Sequence, residues 1–394
     1  MASVIQYLKT YQDQTFNDMP LNDVDRLVFN ELSYLPVELL SVDEDGLTLQ
    51  QVGRSLLSKA WKIHTNNPYL VTLNRLRILR YLSDSKRYQK ITLHRVNFET
   101  TLDYGYPFVC LTLYHPDFPS FVVFRGTDDT MLGWQESLAL TFEEDLASYR
   151  LATNYLKQTI DHFKEPIEVS GHSKGGHLAY MASYYLTVEE RRSIQRLTAF
   201  DAPGVFDWVM EDKNFQRFIP RIIAYCPNQS IFGRLLTPPV QPAIVEAKDA
   251  SGLVQHILNQ WETFDSRLKL TDQFSLESDF STDLFSQWHT QTPVTTKQRL
   301  HQLTFSVLSR AGVDSFNTLI RHFWSSSSQI WLEVHHLPEE DRKFLLEQSK
   351  LFQQLYEDLK TQPQYKGVLN TRYLEWLVPV LSAEKIHSFM GLFH

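Results

Sequence analysis

Gly171-His172-Ser173-Lys174-Gly175-Gly176 lies between a short apolar run, Pro166-Ile167-Glu168-Val169-Ser170, and a helix-like stretch from Gly176 to Tyr184. Strand, G-x-S-x-G, helix is the context of a nucleophile elbow. The chain reverses so sharply in such a turn that Gly171 and Gly175 stand where a Cβ would collide. The turn offers the Ser173 hydroxyl at a helix N-terminus, where backbone N–H groups and the helix dipole favour a developing oxyanion. A glycine-rich turn with an idle serine is the plainer alternative.

An elbow needs a sheet behind it, and the flanking sequence supplies one. Ile91–Phe98 alternates as a half-buried strand does, and Pro107–Tyr114 and Phe121–Phe124 read as the next strands. Helix-like Leu146–Phe163 leads into the elbow strand; Leu197–Phe200 and Arg221–Cys226 are strand-like again. Strands alternating with helices predict an α/β fold, a mostly parallel sheet with helices on both faces. The core is expected over about Asn97–Ile257.

The first ninety residues read as helical. Val24, Leu27, Val28, Leu32 and Leu35 recur at helical spacing behind a cap at Asn22 or Asp23, and Gln50–His64 and Tyr69–Leu82 follow. Beyond about Phe280 the pattern is helical once more. Thr296 is a candidate cap for a helix through Leu300, Leu303, Val307 and Leu308. Pro338 suits a first helical turn, and Ser325–Ser328 reads as a turn. The expected organisation is one α/β domain over 1–280, with a helical segment over 1–90, and a helical extension over 281–394.

Composition sets outer limits. The 394 residues carry 38 basic and 46 acidic side chains, a net charge of −8, with no basic block, which argues against nucleic acid. Met1–Lys9 lacks the basic start and apolar centre of a signal peptide, and no run approaches the roughly 18 apolar residues that span a bilayer. A cytoplasmic protein is expected, with peripheral membrane contact left open. Cys110 and Cys226 sit in strand-like runs and read as buried free thiols.

A serine nucleophile needs a base, an acid that orients the base, and an oxyanion hole. His177 is one turn into the elbow helix and cannot reach back. His256 follows a glycine loop where the sheet pattern ends, and is the expected base. His289, His301, His322, His335, His336, His387 and His394 all fall in the helical tail. For the acid, Asp201 follows the strand Leu197–Phe200, at the end where α/β enzymes place their chemistry. Asp207 and Asp249 stand behind it, and a turn-forming role before Pro203-Gly204 is the structural alternative. The next strand ends at Asn228, which carries no charge. The oxyanion donors are expected from the backbone N–H of Lys174 and from the loop Phe124-Arg125-Gly126-Thr127-Asp128, with Thr127 foremost.

These segments together resemble the class 3 (fungal-type) lipases: Phe124-Arg125-Gly126-Thr127 with Gly133-Trp134, then Gly171–Gly176. They are still more similar to an uncharacterised bacterial group of lipase-like α/β-hydrolases. That pattern adds Asn22-Asp23-Val24-Asp25, Leu32-Ser33-Tyr34, Asp201-Ala202-Pro203-Gly204, Ser230–Leu236 and Gln255-His256. The likeness spans about residues 1–330. It implies an α/β-hydrolase with Ser173 as nucleophile, Thr127 at the oxyanion hole and His256 as base. Class 3 lipases take the acid from the position that holds Asn228 here, whereas Asp201 resembles the seat in pancreatic-type lipases. Lys174 replaces the usual apolar residue after the serine; it favours anionic substrates or pairs with Asp128 or Asp129. Thr130–Leu146 corresponds to the lipase lid, as a movable flap or a fixed surface helix, and Pro227–Pro242 is a candidate roof for an acyl pocket. The implied activity is hydrolysis of carboxylic esters of acyl lipids, with no metal or organic cofactor. A thioesterase, a phospholipase, or a non-catalytic scaffold that binds lipid or protein are the alternatives.

Overall fold

The computed structural model describes residues 2–66, 70–101, 105–248 and 252–366. They fall into two compact units: Met1–Asp128 with Glu144–Phe274, and Asp129–Glu143 with the chain from Ser275 onward.

The first unit is built on a nine-stranded sheet. Its strands in chain order are β1 (Leu47–Thr48), β2 (Thr92–Thr100), β3 (Pro107–His115), β4 (Phe118–Phe124) and β5 (Ile167–His172). They continue with β6 (Ile194–Phe200), β7 (Ile222–Pro227), β8 (Ala243–Val245) and β9 (Leu270–Thr271). The spatial order is β9-β8-β7-β6-β5-β4-β3-β2-β1. Strands β4 to β8 run parallel, and the remaining pairs are antiparallel. Helices cover both faces of the sheet, as the sequence predicts.

Burial explains why the strands read as they do. Phe108 to Leu113 on β3 are all buried, a continuous run that a sheet covered on both sides requires. β2 lies nearer the edge and fades from buried to exposed along its length. Strands β1, β8 and β9 were not expected, and neither was a small second sheet of Ala2–Ser3, Glu262–Phe264 and Arg267–Leu268. Two or three residues are too few to show a period.

The helix Asp23–Ser33 begins on a capping box between Asn22 and Asp25. Its apolar face, Val24, Leu27, Val28 and Leu32, joins Phe121, Val123 and Phe200 in one core. Its polar side chains from Asp25 to Ser33 are buried too. Asp25 is fully buried and receives Arg87 Nε and Nη2 at 3.0 and 2.5 Å, Tyr7 OH at 2.8 Å and Tyr88 OH at 2.5 Å. Burial, aided by the Asp25 charge, pushes both phenols well above their ordinary range. Arg87→Met would leave that carboxylate without its cation. A loss of about 3–5 kcal/mol is expected, read from urea unfolding.

The second unit is helical: Leu276–Gln291, Val294–Arg310, Phe316–Arg321, Phe323–His336 and Glu339–Lys360, together with Met131–Ala139. Two expectations are corrected here. Thr296 lies inside its helix, not at its cap, because Pro293 already stands at the N-cap. Ser325–Ser328 is helical rather than a turn: Ile330 and Leu337 bury into the local core, and packing overrides the neutral propensity of serine. Pro338 sits at the N-cap of Glu339–Lys360, one residue ahead of the first turn.

Of the segment read as a lipase lid, Thr130–Leu146, the part up to Glu143 belongs to this unit. Met131 N–H donates to Asp314 O at 2.9 Å, His301 Nε2 to Gln135 O at 2.8 Å, and the Trp134 and Phe316 rings pack at 5.2 Å. Among the described residues, no helix is long and apolar enough to cross a membrane.

Candidate active site

Strand β5 ends at His172, and Ser173 turns the chain into the helix Lys174–Tyr185. Ser173 has φ 58° and ψ −131°, backbone angles a side chain rarely adopts. A methyl group at Gly171 would overlap the Gly175 carbonyl, so the sharp reversal needs glycine there. The register of β5 and β6 pairs His172 with Phe200. Ser173 and Asp201 therefore leave the ends of neighbouring parallel strands side by side. Ser173 N–H donates to Phe200 O at 3.0 Å, and Asp201 N–H to Tyr225 O at 2.7 Å.

Asp201 is fully buried and also left-handed, with φ 43°. Its Oδ1 accepts Ser230 Oγ–H at 2.5 Å and Gly233 N–H at 3.1 Å. Its Oδ2 meets His256 Nδ1 at 2.6 Å. A carboxylate accepts only, so Nδ1 carries the proton and Nε2 is left as the basic nitrogen. The His256 ring packs against Phe232 at 4.4 Å and His172 at 4.5 Å. The loop Ser230–Leu236 thus serves Asp201 with two donors and His256 with an aromatic wall.

The remaining candidates go elsewhere. Asp207 accepts Thr237 Oγ1–H at 2.5 Å. Asn228 bonds through its main chain to Val245, and its buried Oδ1 has no hydrogen-bond partner among the described residues. His177 is fully buried between Tyr149 OH, 2.8 Å from Nε2, and Gly204 O, 2.6 Å from Nδ1. His289, His301, His322, His335 and His336 belong to the second unit. Asp249, His387 and His394 lie outside the described residues.

Thr127 lies in the loop that follows β4. The loop is anchored by Arg125, which donates to the carbonyls of Ser33 and Leu35 and pairs with Glu38 at 2.6 Å. A methyl group at Gly126 would overlap the Tyr34 hydroxyl and the His172 carbonyl, so the loop runs hard against the elbow. Lys174 opens the elbow helix, and its Nζ donates to Pro107 O at 3.2 Å. Cys226 is a buried free thiol beside Asp201, and Cys110 is buried and free as well. Burial, reinforced by the Asp201 charge, pushes the Cys226 thiol well up, which leaves it inert at neutral pH. Among the described residues, no group of three or more His, Cys, Asp and Glu could hold a metal ion.

Burial holds the two histidines of the elbow neutral. His177 falls to about 4, and His172 lies well below the ordinary range through burial first and the nearby His256 second. The unfolded chain takes up these protons near pH 6.5, whereas the folded chain resists them to about pH 4 at His177. Stability is therefore complete above that window and falls through it. A slope of about 1.4 kcal/mol per pH unit for each histidine is expected below pH 6.5, measured by urea titration at stepped pH.

Comparison with known proteins places the chain in a wider group. Two solved structures of Rhizomucor miehei lipase are similar. One, a native propeptide complex, shares 16% identity over 47% of this chain and 72% of its own, at a TM-score of 0.27. The other, a triacylglyceride lipase, shares 11% identity over 62% of this chain and 92% of its own, at a TM-score of 0.32. A comparison with curated proteins gives no match. A family model described as Mbeg1-like matches residues 82–306, which takes in β2 to β9, the elbow, Asp201 and His256. That match covers more than half of the sequence, and the chain belongs to the Mbeg1-like family.

Proposed function

We propose that the protein is a serine hydrolase of carboxylic esters, with Ser173 as nucleophile, His256 as base and Asp201 as the acid that orients it. The observation that carries this reading is the 2.6 Å bond between Asp201 and His256, formed at the strand end beside the elbow. Ser173 Oγ attacks the ester carbonyl carbon while His256 Nε2 takes the hydroxyl proton. The carbonyl oxygen becomes an oxyanion, held by the N–H groups of Thr127 and Lys174. When the intermediate collapses the C–O bond breaks, and the imidazolium protonates the departing alcohol. Water, deprotonated by His256, then attacks the acyl-enzyme, and the carboxylic acid leaves as Ser173 regains its proton. Asp201 stabilises the imidazolium by its charge and keeps the proton on Nδ1.

Acyl lipids are the proposed substrates, because Phe232 places an apolar ring next to the base. A fluorophosphonate probe tests the reaction class. Labelling of the intact protein, lost in Ser173→Ala, is the expected result. Folded protein that takes up no label sinks the reading and leaves a binding scaffold. A panel of p-nitrophenyl esters from acetate to palmitate, with thioesters and phospholipids beside it, then sorts the substrate. Preference for longer acyl chains is expected, and preference for acetate overturns the lipid assignment.

A further inference from the structure

His172, the residue before the nucleophile, does something the reaction above does not require of it. Its Nε2 lies 2.8 Å from the backbone carbonyl of His256, and its Nδ1 lies 2.5 Å from Tyr34 OH. A carbonyl accepts only, so Nε2 carries the hydrogen, and Nδ1 accepts from the phenol. Asp201 grips the ring of His256; His172 grips its main chain.

Behind His172 stands a matched set of bonds. Arg26 meets Glu168 at 2.7 and 2.8 Å, Asn30 Nδ2 meets Ser170 Oγ at 2.7 Å, and Tyr34 meets His172. The first partners are four residues apart on the helix Asp23–Ser33 and its C-cap; the second are two apart on β5. Four helical residues rise about 6 Å and two strand residues about 6.6 Å, so the two ladders stay in step over three rungs. All six side chains are buried. The same helix holds the far side of the base loop: Glu31 Oε1 accepts Asn259 N–H at 3.1 Å, and Arg75, bonded to Glu31 at 2.7 Å, lies 4.2 Å over the Tyr34 ring. The stretch from His256 to Asn259 is therefore held at two points, His256 O by His172 of β5 and Asn259 N by Glu31 of the helix Asp23–Ser33.

The geometry points to Tyr34 and His172 as positioning residues for the base, the pair that holds the His256 main chain at the working distance from Ser173. This rests on the serine-hydrolase reading. A main-chain shift of about 1 Å at a catalytic group costs on the order of 10²-fold in rate. His172→Met fills a similar volume without a donor; His172→Gln restores an N–H near the place of Nε2.

The test uses the full chain with p-nitrophenyl butyrate and the fluorophosphonate probe. His172→Met should lower kcat about 10²-fold with KM within about threefold, and His172→Gln should recover most of that loss. Tyr34→Phe, which removes one hydroxyl, should lower kcat about fivefold and serves if His172→Met does not fold. The positioning role is overturned if His172→Met and Tyr34→Phe keep kcat within twofold of the parent. It is also overturned if His172→Gln and His172→Met lose activity equally. Failure of the hydrolase reading looks different, because the parent protein itself would then take no label.

Discussion

Asp201→Asn should lower kcat about 10⁴-fold while leaving the protein folded. The amide is the same size as the carboxylate. Its oxygen can still accept Ser230 Oγ–H and Gly233 N–H, now at 2.5 and 3.1 Å. Its nitrogen would then face His256 Nδ1 with hydrogens of its own. The ring answers by moving its proton to Nε2, and a protonated Nε2 cannot accept the proton of Ser173. The nucleophile stays protonated, and the imidazolium that forms in the transition state loses its counter-charge. Asp207→Asn is the control: its carboxylate meets Thr237 rather than His256, so activity within about twofold of the parent is expected. Initial rates with p-nitrophenyl butyrate and matched urea midpoints read both variants. Asp201→Asn activity within tenfold of the parent would remove Asp201 from the reaction.

The parts legible in the sequence were those whose constraint is local. Gly171 is chosen by sterics within one turn, against the Gly175 carbonyl. The buried strand β3 announces itself as an apolar run because both faces are covered. Asp201 was legible as a candidate because it directly follows a strand-like run, and the helix start at Asn22 or Asp23 because the apolar spacing behind it is local. Other features depend on partners far along the chain. His172 reads as filler between glycine and serine, yet its two bonds reach Tyr34 and His256. Arg26 and Glu168 look like two ordinary charges until the helix crosses the elbow strand. The segment Leu32-Ser33-Tyr34 was noticed only as a pattern; Arg125 and His172, which bond to it, give that pattern its physical reason. The segment expected as a movable flap or a fixed surface helix shows the same dependence: the partners of Met131, Trp134 and Gln135 lie from His301 to Phe316, well over a hundred residues later.

Ser173→Gly should abolish activity and stabilise the protein at once. Loss of the hydroxyl removes the nucleophile, and a fall of about 10⁶-fold in kcat is expected, together with loss of fluorophosphonate labelling. The stability gain comes from the backbone. At φ 58° and ψ −131° a Cβ is strained, by about 1–3 kcal/mol. Glycine removes that strain and adds about 0.4–1 kcal/mol of unfolded-chain entropy against folding. Relief of the strain outweighs the added entropy, for a net gain of about 1 kcal/mol. Ser173→Ala separates the two effects, because alanine loses the same hydroxyl but keeps the strained Cβ. The urea midpoint of Ser173→Gly should therefore lie above that of Ser173→Ala, while both are equally inactive. Equal midpoints would mean that the elbow stores no strain. Activity in either variant within 10²-fold of the parent would mean that another group attacks the ester. With both expectations met, the serine would stand in this turn against the preference of its own backbone, a placement that only a reaction at its hydroxyl rewards.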